Sequence, residues 1–212
     1  ATYDALEFYR SMLELCPPGA TGYSWGEMLT SFVSGATATG LYAGRVLANV
    51  AAQNPQIADS ITCALYPRMS RDIPAWTYND FPCVCIPSAA SNKAEAKLFA
   101  ASLFDPAGYI PQLHAAPGHV LPVLETVAEN PAYRDNEIID RYPQEIDLMA
   151  SAAAQGYNLG FETTAHQPNT KAGEIIASNA IAEMVQRVVL NDENPQAAVG
   201  NTVTRLEEIM RS

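Results

Sequence analysis

The chain has 212 residues, 48% of them hydrophobic, enough for one domain or two small ones with a sizeable core. Its 12 basic residues stand against 23 acidic ones, a formal net charge of −11. Phosphate backbones and anionic lipid both require clustered Lys and Arg, so this balance argues against a nucleic-acid partner and against adsorption to a negatively charged membrane. The longest apolar runs are broken by Gly, Pro or charge, so no membrane-spanning helix is expected. No secretory leader is in view, which leaves a mature start, a cytosolic chain or a missing front. Four cysteines do not make a disulfide scaffold at this length.

Leu6, Tyr9 and Leu13 fall on one stripe and predict a helix over residues 3–15, ended by Cys16-Pro17-Pro18-Gly19. Ser24 with Glu27 three residues on reads as a capping box. It opens a helix with Met28, Leu29 and Phe32 turned inward and a stop at Gly35. Residues 41–42 read as a short buried strand whose backbone turns out at Gly44. That turn presents Tyr42 and Arg45 at a strand's C-terminal edge, where open α/β sheets place their ligands. A helix over residues 45–53 stops at Asn54-Pro55. Strands follow over residues 61–66 and 81–86, each closed by a proline, and residues 67–74 between them are the candidate hinge or crossover. Cys83 and Cys85 alternate with Val84, so they share one strand face and read as small core residues rather than a bridge. Helices are expected over residues 93–103, 109–115, 144–155, 173–190 and 195–211, with a mostly helical stretch over 120–130 broken by Pro122. The tally is a helix-rich α/β chain with few strands, although a free-standing sheet needs about four to six.

Several short motifs follow one another along the chain. Ala5-Leu6-Glu7-Phe8-Tyr9 precedes Pro17-Pro18-Gly19; Phe32-Val33-Ser34-Gly35 leads to Ala38-Thr39; Ser88 to Lys93 precedes Ala96 and Phe99. Leu103-Phe104-Asp105-Pro106, Pro117-Gly118-His119-Val120-Leu121-Pro122 and Asn194-Pro195-Gln196-Ala197-Ala198 complete the order. Together they resemble the C-terminal half of the family 1 solute-binding proteins, the sugar-capturing components of ABC importers, with Thr39 where that family usually has methionine. The resemblance implies an α/β, helix-rich fold of the periplasmic-binding-protein type (type II), the C-terminal portion of a two-lobed fold. Residues 1–75 would belong to the C-lobe, 76–135 to a crossover segment packing with the N-lobe, and 136–212 to the terminal helices of the C-lobe. It also implies periplasmic or extracellular capture of a carbohydrate or sugar derivative between two lobes, with no bond made and no cofactor. The implied partners are an ABC permease in the membrane and a missing N-terminal half or a second copy. Ligand contacts in the family map onto Tyr42 and Arg45, onto Tyr78, Asn79 and Asp80, and onto the late loop His166-Gln167-Pro168-Asn169.

Read as chemistry, a sugar site wants aromatic faces for the apolar side of the ring and planar polar groups for its hydroxyls. Tyr23, Trp25, Tyr42, Trp76 and Tyr78 are the aromatic candidates, each with core or edge packing as the plain alternative. A guanidinium at Arg45 would fork onto a carboxylate, a phosphate or vicinal hydroxyls, the alternative being a surface ion pair. His119, in a loop after Gly118, is a further candidate contact. His114 and His119 with Cys83 and Cys85 fit no zinc spacing, and no metal is expected. Nucleophile-elbow, zincin, P-loop and dinucleotide motifs are absent. A rival reading is a helical enzyme acting on a small polar substrate, with His119 and Glu162 as acid and base, or Glu162 paired with Asp140 or Glu145. A third is a helical interaction module. The incomplete sheet predicts an exposed apolar face covered by a second copy or a partner fragment.

Overall fold

A helix closes its hydrogen bonds within itself, whereas a strand needs a neighbour. The computed structural model describes residues 2–68, 70–72, 77–80, 82–156 and 168–212, and these are built on helices. No strand occurs among the described residues, only a bridge at Tyr78. The α/β expectation, and with it the periplasmic-binding-protein architecture, is therefore corrected: this is a helical chain. Residues 41–42, 61–66 and 82–86 are irregular. They are apolar enough to read as strands, yet Pro67, Pro82 and Pro87 each lack the N–H a ladder needs. Ile61 and Cys63 instead pack as irregular coil against the helical core, while Leu65 and Tyr66 stay exposed.

The chain divides into two units. The first joins Ala1–Gly22 to Asn158–Ser212. In it α1 (Thr2–Met12) packs with α11 (Ala180–Asn191) and α12 (Pro195–Arg211), and α10 (Ala172–Ala177) adjoins the last two. Leu6, Met184, Val188 and Ala198 form its buried core. Arg10 of α1 donates to the Val188 carbonyl at 2.7 Å, satisfying an acceptor in the last turn of α11. The helix expected over residues 173–190 is two helices, because Asn179 takes a left-handed conformation (φ 54°) that no helix interior admits.

The second unit, Tyr23–Tyr157, carries α2 (Trp25–Val33), α3 (Arg45–Gln53), α4 (Lys93–Ser102), α5 (Pro106–His114) and the short α6 (Glu125–Ala128), α7 (Pro131–Arg134) and α8 (Glu137–Arg141). It closes with α9 (Pro143–Ala153). Its core gathers Val33 from α2, Val46, Leu47 and Val50 from α3, Ile110 and Leu113 from α5, and Tyr133, Ile139, Tyr142 and Ile146 from the segment through α9. Only residues 125–128 of the stretch expected to be mostly helical over 120–130 form a helix, because Pro122 cannot continue one. Helix α4 buries none of its residues, and Leu98 and Phe99 stand 72% and 63% exposed. Among the described residues no helix is long and apolar enough to cross a membrane.

The capping box at α2 is formed. The Glu27 carboxylate accepts the Ser24 backbone N–H at 2.9 Å and also the Ser24 hydroxyl. These bonds favour its charged form and hold its pKa below the ordinary glutamate value, the hydroxyl being the largest cause. Since the folded pKa lies below the unfolded one, the box stabilises fully above the unfolded value and is lost as pH falls through the folded one. An NMR titration of the Glu27 side chain should give a midpoint below that of free glutamate, and Glu27→Gln should remove the acid-side loss of α2 helicity. An unshifted midpoint would show the box open in solution.

Candidate functional site

The site begins with how α2 ends. Gly35 adopts φ 77°, its N–H donates to the Phe32 carbonyl at 2.9 Å, and the next N–H, of Ala36, donates to Ser31 at 3.0 Å. This paired C-cap needs a left-handed residue, which glycine supplies without strain. The chain then folds back along the helix, so that a side chain on Gly40 would touch Phe32 at 3.4 Å. The return brings Tyr42 to Trp25 at the other end of α2. Their rings meet edge to face, with centroids 5.2 Å apart and planes at 81°. Tyr42 is half-buried, while Trp25 is 70% exposed. The pair thus holds one aromatic face open to solvent.

Two residues past Tyr42, Gly44 crosses the chain at Gly118. Their backbones lie so close that a Cβ on Gly44 would strike the Gly118 carbonyl oxygen and come within 2.7 Å of Met149 Cε. Gly118 (φ 75°) in turn faces Ile146. This crossing brings together the two segments that carry Arg45 and His119, each one residue beyond its glycine, although the sequence separates them widely. Both are exposed.

Helix α9 is the common support. Met149 faces Gly44, and one turn further, about 6 Å along the axis, the Ala153 carbonyl accepts the Asn79 Nδ2 at 2.6 Å. Gly156 admits this contact, because a Cβ there would collide with Asn79. The segments carrying Tyr42–Arg45, His119 and Asn79–Asp80 therefore converge on α9. Asn79 itself is 9% exposed and closes the end of α9, whereas Tyr78 and Asp80 are exposed. Asn169 belongs to the other unit, where its Oδ1 accepts the Lys171 N–H at 2.9 Å. Tyr23 is half-buried. Trp76, Glu162, His166 and Gln167 lie outside the described residues.

Arg45 is the first residue of α3, whose N-terminus has no side-chain cap. Its guanidinium makes no ion pair or hydrogen bond among the described residues. Arg10, Arg134, Arg141, Arg187, Arg205 and Arg211 all have carboxylate partners. A full positive charge therefore stands uncommitted beside first-turn amides that also favour an anion.

The other polar candidates serve other ends. His114 Nε2 lies 2.8 Å from the Tyr133 carbonyl, and its ring stacks on Tyr133. Asp140 and Glu145 line one open cleft of about 400 Å³ with Asp59, Arg141, Tyr142 and Gln144. In it Arg141 pairs with Asp59 at 2.7 Å, and Glu145 accepts the Thr62 hydroxyl at 2.8 Å. Cys63 is half-buried nearby, and burial, then the Glu145 charge, pushes its thiol pKa up. Cys83 and Cys85, expected in a core, are exposed because no strand forms to turn them inward. Among the described residues no three His, Cys, Asp or Glu are arranged to hold a metal ion. The parts that reading the sequence missed are Met149, Gly156 and the Gly44–Gly118 crossing, for which two glycines beside candidate residues were the only local signal. No protein-family model matches the chain, and no curated protein matches it in sequence.

Proposed function

We propose that the protein reversibly binds a small, densely hydroxylated or acidic solute of the sugar-acid type, with no bond made or broken. The observation that supports this is the exposed ring of Trp25, braced by Tyr42, with the exposed and uncommitted guanidinium of Arg45 three residues further along the chain. A sugar acid offers an apolar ring face to the indole and an anionic group to the guanidinium. His119 and Asp80 are exposed on the adjoining segments to meet further hydroxyls. The hand-over implied by the sequence resemblance, to an ABC permease outside the cytoplasmic membrane, belongs to the same reading. It needs a capture surface on a helical unit rather than a clamp of two lobes.

Calorimetry with a hexuronate, a sugar phosphate and their neutral parent sugar tests the proposal. The charged ligands should bind more tightly, and Arg45→Ala should weaken them by about 1.5–3 kcal/mol, the worth of a charge-assisted hydrogen bond, roughly tenfold to 150-fold in Kd. Arg45→Lys should restore only part, because the planar fork is gone. Equal affinity for all three ligands, unchanged by Arg45→Ala, would overturn the reading. Absence of binding in a chain that sediments as a dimer would favour the interaction module instead. One observation supports that alternative: α4 exposes Leu98 and Phe99, and Lys93 and Lys97 on it have no ion pair among the described residues. A second copy of this acidic chain has the carboxylates to meet those lysines.

A further inference from the structure

We propose that Cys83 and Cys85 form a reversible dithiol–disulfide site that exchanges with low-molecular-weight disulfides. Both side chains are exposed, they stand one residue apart, and neither is in a disulfide. The run Pro82-Cys83-Val84-Cys85-Ile86-Pro87 is neither helix nor strand, and Val84, Cys85 and Ile86 make no hydrogen bond among the described residues. The bracketing prolines account for this, since each removes a backbone donor and disfavours helix in the residue before it.

The freedom of Val84, Cys85 and Ile86 decides whether the chain can bend between the two thiols. Two residues apart in an extended chain, their Cα atoms lie about 6.6 Å from each other. A disulfide accepts roughly 4.4–6.8 Å. A strand ladder would hold the pair at the outer edge of that range, with its side chains parallel. Without a ladder, a modest bend at Val84 closes the ring. Closing so short a loop removes little entropy from the unfolded chain, so the bond adds little stability. Exposed, strained disulfides of this kind are the readily exchanged ones.

The other thiols lack these features. Cys63 is half-buried, and its raised pKa favours the unreactive protonated form. Cys16 is exposed, with its Sγ 3.3 Å from the Met12 carbonyl, and has no second cysteine among the described residues of its unit.

The exchange balances in two steps. One thiolate of the pair attacks a sulfur of the small disulfide RS–SR, the S–S bond breaks, and RS⁻ leaves and takes up the proton that the cysteine released. The second thiolate attacks the cysteine sulfur of the mixed disulfide, the Cys83–Cys85 bond forms, and a second RS⁻ leaves and is protonated. The dithiol loses two electrons, and RS–SR becomes two RSH. Excess RSH runs the sequence backwards.

The test uses the full reduced chain, equilibrated across mixtures of reduced and oxidised glutathione, alkylated with N-ethylmaleimide and digested with trypsin. Residues 72–93 form one tryptic peptide that holds both cysteines and no other. On oxidation this peptide should become lighter by two hydrogens and carry neither label nor glutathione. Its mixed disulfide should stay at least about tenfold less abundant at millimolar glutathione, because the second thiol acts at a high effective concentration. Cys83→Ser and Cys85→Ser, with unchanged circular dichroism, should each stop at one glutathione adduct. A wild-type peptide that collects two adducts, that cross-links chains, or that stays fully alkylated while Cys16 oxidises would overturn the proposal.

Discussion

Gly44→Ala should destabilise the second unit by about 3 kcal/mol or more, the range of overpacking that side-chain motion cannot relieve. The methyl would strike the carbonyl oxygen of Gly118 and sit 2.7 Å from Met149 Cε and 2.8 Å from its Sδ. Met149 is flexible and can swing aside. The carbonyl cannot, because Gly118 is itself pinned, with φ 75° and Ile146 at its back. Relief therefore means parting the two backbone segments that carry Arg45 and His119, so solute affinity should fall with stability. Gly200→Ala is the opposite case. That glycine lies inside α12, exposed, with nothing within 4 Å of a new Cβ. It should gain about 0.5–1 kcal/mol from reduced backbone entropy. Urea midpoints at constant slope compare the two. Equal, small effects would mean that the crossing opens at little cost.

The second expectation sets two buried tyrosines against each other. Tyr142, 4% exposed, donates its hydroxyl to the Ala58 carbonyl at 2.8 Å, and Ala58 is wholly buried. Tyr142→Phe leaves that carbonyl without its donor and should cost about 1–3 kcal/mol. Tyr133 is 1% exposed, yet its hydroxyl has no hydrogen-bond partner among the described residues. Its burial cost is already present in the native protein, and desolvation, its largest influence, pushes its pKa up. Tyr133→Phe should therefore be neutral or stabilising by about 1 kcal/mol. Denaturation of both variants under one set of conditions decides the matter. A loss at Tyr133→Phe equal to that at Tyr142→Phe would mean that its hydroxyl is satisfied in solution.

Much of this was legible where the physics is local. The box of Ser24 and Glu27, the stop at Gly35, the start of α3 at Arg45 and the proline opening α12 each act over one helical turn, and they sit where the sequence puts them. The apolar runs over residues 61–66 and 81–86 were misleading because a strand is a property of two segments, and their composition suits irregular coil equally well. The candidate site divides the same way. Trp25 and Tyr42 are joined by one helix and one turn, so their contact follows from short-range signals, and Arg45 is three residues further along the chain. His119 and Asn79 reach that neighbourhood only by way of Gly118 and α9. Contacts of that span are not written in any local pattern.

The first unit is assembled from both ends of this sequence, and this sets an order of events during synthesis. Among the described residues, Leu6 of α1 packs in a cluster with Met184, Val188 and Ala198, all near the other end of the sequence. At ribosomal speeds of about 5–20 residues per second, α1 waits roughly 10–40 s for them. Throughout that interval its apolar stripe has no native partner, while the second unit can already fold behind it. The exposed Phe8, Tyr9 and Met12 extend the sticky surface. Until α12 has left the ribosome, α1 is thus the natural handle for a chaperone and the natural seed for aggregation.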